Sequence, residues 1–229
     1  MQLSSLLGVP LITYGGTLFD KNPEDMKLFA VTTWIVFSFT ITLIITLILL
    51  RKEMTNKDLM RNATSGRASV AWAIGGVFLA MTAQIIAANI ETMLGIEMGS
   101  ENTRDIMMLI QASPIVILIS SIIGPILEEI VFRKIIFGSL YKRLNFFLSG
   151  LISSVIFAVA HTDFVHILLY TAMGFTFAFL YVKTKRIIVP IFAHTAMNTI
   201  VVIIQFNQEN IENWLKKMEQ IQSFIGGFL

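Results

Sequence analysis

Eight ionisable or strongly polar side chains sit in otherwise apolar stretches of the C-terminal half: Glu128, Glu129, Arg133, His161, Asp163, His166, His194 and Asn198. All three histidines of the chain are among them. Such groups are costly inside a bilayer. Where they occur they pair, face a bundle interior and mark functional sites. Spacing sorts them into roles. Glu129 and Arg133 are i, i+4 and can pair along one helix. Glu128 is turned about 100° from Glu129 and cannot share that pairing equally. It is therefore the carboxylate left to act as a general base. His194 and Asn198 are again i, i+4 and can point at one spot, and Phe157 and His161 share a face in the same way.

Plainer readings belong beside these. Glu129 and Arg133 read first as a buried structural ion pair, each offsetting the other's burial. A single buried histidine is more often a hydrogen-bonded core residue than a catalyst. Two histidines, an asparagine and a surplus glutamate converging in an apolar setting are not explained by packing alone. Asp163 and His166 stand at a helix break, where capping backbone groups accounts for them, so they fall outside the core site.

The elements that position these residues are membrane spans. Of 229 residues, 55% are hydrophobic and 14% charged, and the mean hydropathy is +0.75. A soluble domain carries about 25% charged residues. Each crossing needs about 20 apolar residues. The stretches that qualify are 28–50, 69–94, 106–140, 146–161, 166–182 and 187–204. The third is read as one crossing kinked at Gly124-Pro125. The expected fold is thus an all-α polytopic bundle of six spans around an intramembrane polar cavity. Dividing the third stretch into two would give seven.

Lys and Arg in short loops set orientation. Arg51, Lys52, Lys57, Arg61 and Arg67 follow the first span, Lys142 and Arg143 the third, and Lys183, Lys185 and Arg186 the fifth. These loops are expected on the cytoplasmic side, with both termini outside. The chain divides into a segment with two spans (1–105), a helical core carrying the polar cluster (106–206) and a tail (207–229). In the tail Ile211, Trp214, Leu215, Met218, Ile221 and Ile225 fall at helical spacing among polar residues, as in a helix lying in the membrane interface or packing on the bundle. The segment Met1–Phe19 is apolar, has no basic residue ahead of its apolar run, and is interrupted by Pro10, Gly15 and Gly16. It reads as a surface or re-entrant segment. The absence of cysteine excludes disulfides and thiolate chemistry. No basic stripe interleaved with aromatics offers itself to nucleic acid. The expected location is the cell membrane, multi-pass, with the lipid bilayer as one partner.

Three segments resemble a known pattern. Glu128-Glu129-Ile130-Val131-Phe132-Arg133 is similar to the EExxxR motif of the CAAX-protease and bacteriocin-processing (CPBP, or Abi) family. Phe157-Ala158-Val159-Ala160-His161 is similar to its FxxxH motif, and His194-Thr195-Ala196-Met197-Asn198 to its HxxxN motif. Order and spacing fit over roughly residues 110–204. Lys134 departs from the pattern, standing where relatives often have Gly. The resemblance implies an intramembrane endopeptidase that hydrolyses a peptide bond in a membrane-associated peptide or protein. By motif position Glu128 would activate water, His161 would help hold it, and His194 and Asn198 would stabilise the oxyanion. Glu129 and Arg133 would fix the helix.

No cofactor is expected. Zinc is the alternative, since His161, His194 and Glu128 could hold one with an open position. HExxH, GxSxG and GxGD are all absent, which weighs against other intramembrane proteases. A non-catalytic immunity or scaffold protein binding a peptide or partner is the second functional class. An ion path ranks last, because no charged or polar residue on the first two spans extends the cluster across the membrane.

Overall fold

The structure of the chain is a computed structural model describing residues 2–19, 22–54 and 63–226. Among these residues every regular element is helical: α1 (Gln2–Thr17), α2 (Pro23–Met54), α3 (Gly66–Met93), α4 (Glu101–Ala112), α5 (116–141), α6 (Phe146–Ala160), α7 (Ile167–Thr184), α8 (Ile188–Phe206) and α9 (Gln208–Gly226). Four stretches are long and apolar enough to cross a membrane: Met26–Arg51 of α2, all of α3, α7 and α8. Helix α6 is apolar but shorter. The outward faces carry Phe37, Ile48, Leu49, Phe78 and Ile85, each more than half exposed. Apolar groups face outward because lipid is the solvent there. The chain is an all-α polytopic membrane protein.

The expected third crossing differs in detail. It begins at Val116 rather than Ile106, because the chain breaks at Ser113-Pro114. Ser113 is extended (φ −151°, ψ 100°), the conformation that a following proline favours. Upstream, α4 is a separate amphipathic helix capped by the Ser100 hydroxyl. The 105/106 division drawn from sequence therefore falls inside a helix.

At Gly124-Pro125 the helical path continues. The residues on either side, Ile119–Ile123 and Glu129–Phe137, wind as π-helix. The departure from regular α winding thus falls on both sides of the proline, and π turns and proline are the usual sites of helix bending. Helix α1 likewise runs unbroken through Pro10 and packs on α2, where Trp34 Nε1 donates to Ser4 Oγ at 3.2 Å.

Helices α3, α6, α7 and α8 enclose the core. Phe157, Phe177, Leu180 and Ala193 are fully buried there. Small residues let the backbones approach, as in other membrane bundles: a Cβ on Gly174 would stand 2.9 Å from the Ser154 Cβ.

The two ends of the bundle differ. At the Lys/Arg-bearing end, Arg186 Nε donates to Thr64 O at 2.8 Å and Thr64 N to Thr184 O at 3.0 Å. Rings of Phe137, Tyr141, Phe146, Phe175 and Tyr181 interlock there at 5.2–6.5 Å. Lys57 and Arg61 of that side lie outside the described residues. The opposite end opens into a cavity of about 1050 Å³.

Candidate active site

The site grows from the winding of α5. Glu128 ends an α-helical segment and Glu129 opens the long π-helical one. The dihedrals at the junction are α-helical (Glu128 φ −61°, ψ −47°; Glu129 φ −64°, ψ −36°), so the two side chains diverge by about 100°. The imidazole of His194 lies between them, with one nitrogen toward each carboxylate. His194 Nδ1 lies 2.9 Å from Glu129 Oε1, and His194 Nε2 lies 3.7 Å from Glu128 Oε2. The second Glu129 oxygen stands 3.2 Å from Arg133 Nε. The result is a row, Arg133–Glu129–His194–Glu128. Its first three members are sealed from solvent, whereas the Glu128 side chain is 30% exposed and lines the cavity. The Glu129–Arg133 pairing expected from spacing is present. The further Glu129–His194 contact is not foreseeable from spacing, because it depends on a helix 65 residues away.

A carboxylate can only accept, so the Nδ1 of His194 carries the proton donated to Glu129. That fixes the ring with Nε2 toward Glu128. The ring also stacks on Phe177 at 4.6 Å and 20°. Arg133 is held by aromatic faces: its guanidinium carbon lies 4.6 Å from the Phe157 ring centre and 5.6 Å from that of Phe177. Its two Nη groups have no hydrogen-bond acceptor among the described residues. Cation–π attraction from desolvated faces offsets part of the burial.

Phe157 explains the first position of its motif. It is fully buried, and it touches Arg133, His194 at 6.0 Å and His161 at 4.5 Å. His161 caps α6 with its Nδ1 2.9 Å from Phe157 O, leaving Nε2 free. Asn198, one turn past His194, donates Nδ2–H to Ser120 O at 3.3 Å and keeps a second N–H. Glu128, His161, His194 and Asn198 all line the same cavity.

From sequence, Asp163 and His166 fall outside the core site, at a helix break, and no charged or polar residue of the first two spans extends the cluster across the membrane. In the structure the two residues join Glu91 in a separate polar layer. Glu91, buried near the end of α3, binds His166 Nδ1 at 2.8 Å and accepts from Leu169 N at 3.0 Å. Asp163 accepts from Ser100 Oγ at 2.6 Å. Ser100 also meets the Tyr170 hydroxyl at 3.0 Å, and the Tyr170 ring stacks on His161 at 4.3 Å and 26°. A second polar layer thus pins α4 and the start of α7 above His161. Glu91, a lone carboxylate late in an apolar span, was a readable signal. Tyr170 carried none.

A zinc ion would need His161, His194 and Glu128 to turn toward one point. Both His194 nitrogens are directed at carboxylates, and Glu129 is engaged by Arg133. Among the described residues no three His, Cys, Asp or Glu groups converge to hold a metal ion. The residues present do not fit a closed zinc shell.

Residues 110–200 match the family model described as type II CAAX prenyl endopeptidase Rce1-like. The chain is 50% identical over 231 residues to "Putative membrane peptidase YdiL" of Bacillus subtilis (strain 168), covering 99% of this chain and 93% of that protein. It is 34% identical over 224 residues to "Membrane-embedded CAAX protease MroQ" of Staphylococcus aureus (strain USA300), covering 95% and 87%. A third relative, "UPF0177 protein YxdF" of Lactococcus lactis subsp. lactis (strain IL1403), is 40% identical over 81 residues, covering 35% and 44%. No solved structure matches the chain.

Proposed function

Because this chain belongs to the Rce1-like family of type II CAAX endopeptidases, and is a membrane protease, we propose that it cleaves a peptide bond with water activated by Glu128. The observation that carries the reading is the unequal treatment of the two glutamates. Glu129 is buried between Arg133 and His194, while Glu128, 3.7 Å from His194 Nε2, is partly exposed and faces the cavity.

Water held between Glu128 and the free Nε2 of His161 loses a proton to Glu128 as its oxygen attacks the carbonyl carbon. Glu128 then delivers that proton to the leaving nitrogen. The second Asn198 N–H stabilises the oxyanion, together with a doubly protonated His194 that donates from Nε2 while its Nδ1–H stays on Glu129. Arg133 and Glu129 act through His194, holding its ring plane. The donor chemistry supports a route through water alone, without zinc. The substrate is a membrane-associated peptide or protein. A cavity of about 1050 Å³ is large enough for an extended peptide segment, being at the upper end of the range for ligand sites.

The test compares membrane peptides from cells carrying wild-type protein and Glu128→Gln. Peptides that persist uncut only with Glu128→Gln are expected. Identical peptide populations at equal protein abundance would show that Glu128 is not the base.

A further inference from the structure

We infer that the catalytic cavity is loaded from the non-cytoplasmic face, so that the substrate is a polypeptide segment already presented there. This rests on the peptidase reading above and adds the side from which it works.

Two independent observations meet. The first is charge. Arg51, Arg67, Lys142, Arg143, Lys183, Lys185 and Arg186 all sit at one end of the bundle, in loops or at helix termini next to them. Basic residues in short loops stay cytoplasmic. The loop and helix at the other end carry Glu97, Glu101 and Asp105 against Arg104, and Arg104 lies 4.0 Å from Glu101.

The second observation is shape. The basic end is closed by the Arg186–Thr64–Thr184 bonds and by the interlocked rings around Phe137. The cavity wall comes mainly from the other end: early α2 (Val31–Phe39), late α3 (Gln84–Thr92), the 96–109 segment, the start of α7 and the last turns of α8, and it reaches inward as far as Phe132 of α5 and His194 of α8. Its rim includes Met98, which is 83% exposed, and Gln205. Glu128 is about midway along α5, so a peptide backbone reaches it through this mouth without passing the closed end.

The chemistry upstream follows. A segment synthesised in the cytoplasm must first be moved across the bilayer, so a translocation step supplies this substrate. The class is an exported peptide, or the outward-facing stretch of a membrane-anchored protein.

The chain has no cysteine, which makes single-cysteine labelling clean. Met98→Cys is placed at the mouth and Lys142→Cys at the closed end. A membrane-impermeant maleimide applied to intact cells should label Met98→Cys, and label Lys142→Cys only after permeabilisation. In parallel, new peptide termini are profiled in cells with wild-type protein and with Glu128→Gln. Termini that depend on Glu128 should fall in exported or outward-facing segments. A bulky maleimide on Met98→Cys should reduce their formation at least tenfold. Reversed labelling would overturn the sidedness. Expected labelling with cuts confined to cytoplasmic segments would overturn the substrate class. Expected labelling with no Glu128-dependent terminus would instead overturn the peptidase reading.

Discussion

Removing one member of the row Arg133–Glu129–His194–Glu128 takes a partner from its neighbour, and the outcome depends on which member goes. Arg133→Ala removes the cation beside the buried Glu129 and leaves it with His194 alone. Loss of one partner of a buried pair costs about 3–5 kcal/mol, so both abundance and activity should fall, as immunoblotting against an insertion control would show. A stable, inactive Arg133→Ala would place Arg133 in the chemistry instead. Glu128 faces the cavity, and its removal strands nothing so tightly. Glu128→Ala, His161→Ala and His194→Ala should each lose about two or more orders of magnitude of cleavage, and the first two at unchanged abundance. His194→Ala also unpairs Glu129, so thermal unfolding in detergent should show it alone of the three less stable. The i, i+4 spacing made the Glu129–Arg133 pair legible. The bridge by His194 was not, because it needs a ring from a helix 65 residues away to settle between two glutamates that point about 100° apart, with one nitrogen toward each.

Among the elements, the apolar spans were readable by length, and the join between α4 and α5 was not. Ile106, Met107, Leu109 and Ile110 continue the hydrophobic run past Pro114, so a surface helix was counted as membrane. The tie between α3 and α7 was equally hidden, since Glu91 and His166 stand 75 residues apart. Glu91 receives both the His166 ring and the Leu169 backbone N–H, and Glu91→Ala should free the start of α7. Hydrogen bonds to a charged group are worth about 1.5–3 kcal/mol each. A clear fall in the unfolding temperature of the detergent-solubilised protein is expected, together with faster amide exchange at residues 167–170. Unchanged exchange there would mean that α7 is held by packing alone.

For the whole molecule, composition already indicated lipid as the solvent, and the outward apolar faces agree with it. The tail is exposed along its described length, with Ile211, Trp214, Leu215 and Met218 between 38% and 59% accessible. The side chains of Ile221 and Ile225 lie outside the described residues. An exposed apolar stripe on an amphipathic helix suits the interface. In a Trp34→Phe, Trp72→Phe background, Trp214 fluorescence in vesicles should be quenched by lipids brominated near the headgroup. Full aqueous quenching by iodide would place the tail in water. Metal dependence is also a property of the whole purified protein. Elemental analysis is expected to find no stoichiometric zinc, with cleavage surviving a strong chelator. One zinc per chain, lost and restored together with activity, would make His161 and His194 ligands.

The π winding of α5 has one more consequence, and it concerns insertions and deletions. A π turn holds a residue beyond what an α turn needs, and deleting one residue within 129–137 lets the helix relax to regular winding. Hydrophobicity, span length and every motif letter outside the deletion stay nearly as they were. The carboxylates would then keep their orientation relative to the aromatic end of the same helix, because the deletion removes the extra residue that the π turns carry. The same deletion in a regular α-helical span has no extra residue to give up and turns everything beyond it by about 100°. Cleavage should therefore survive loss of an outward-facing isoleucine such as Ile135 better than loss of one residue from within Ile167–Thr184.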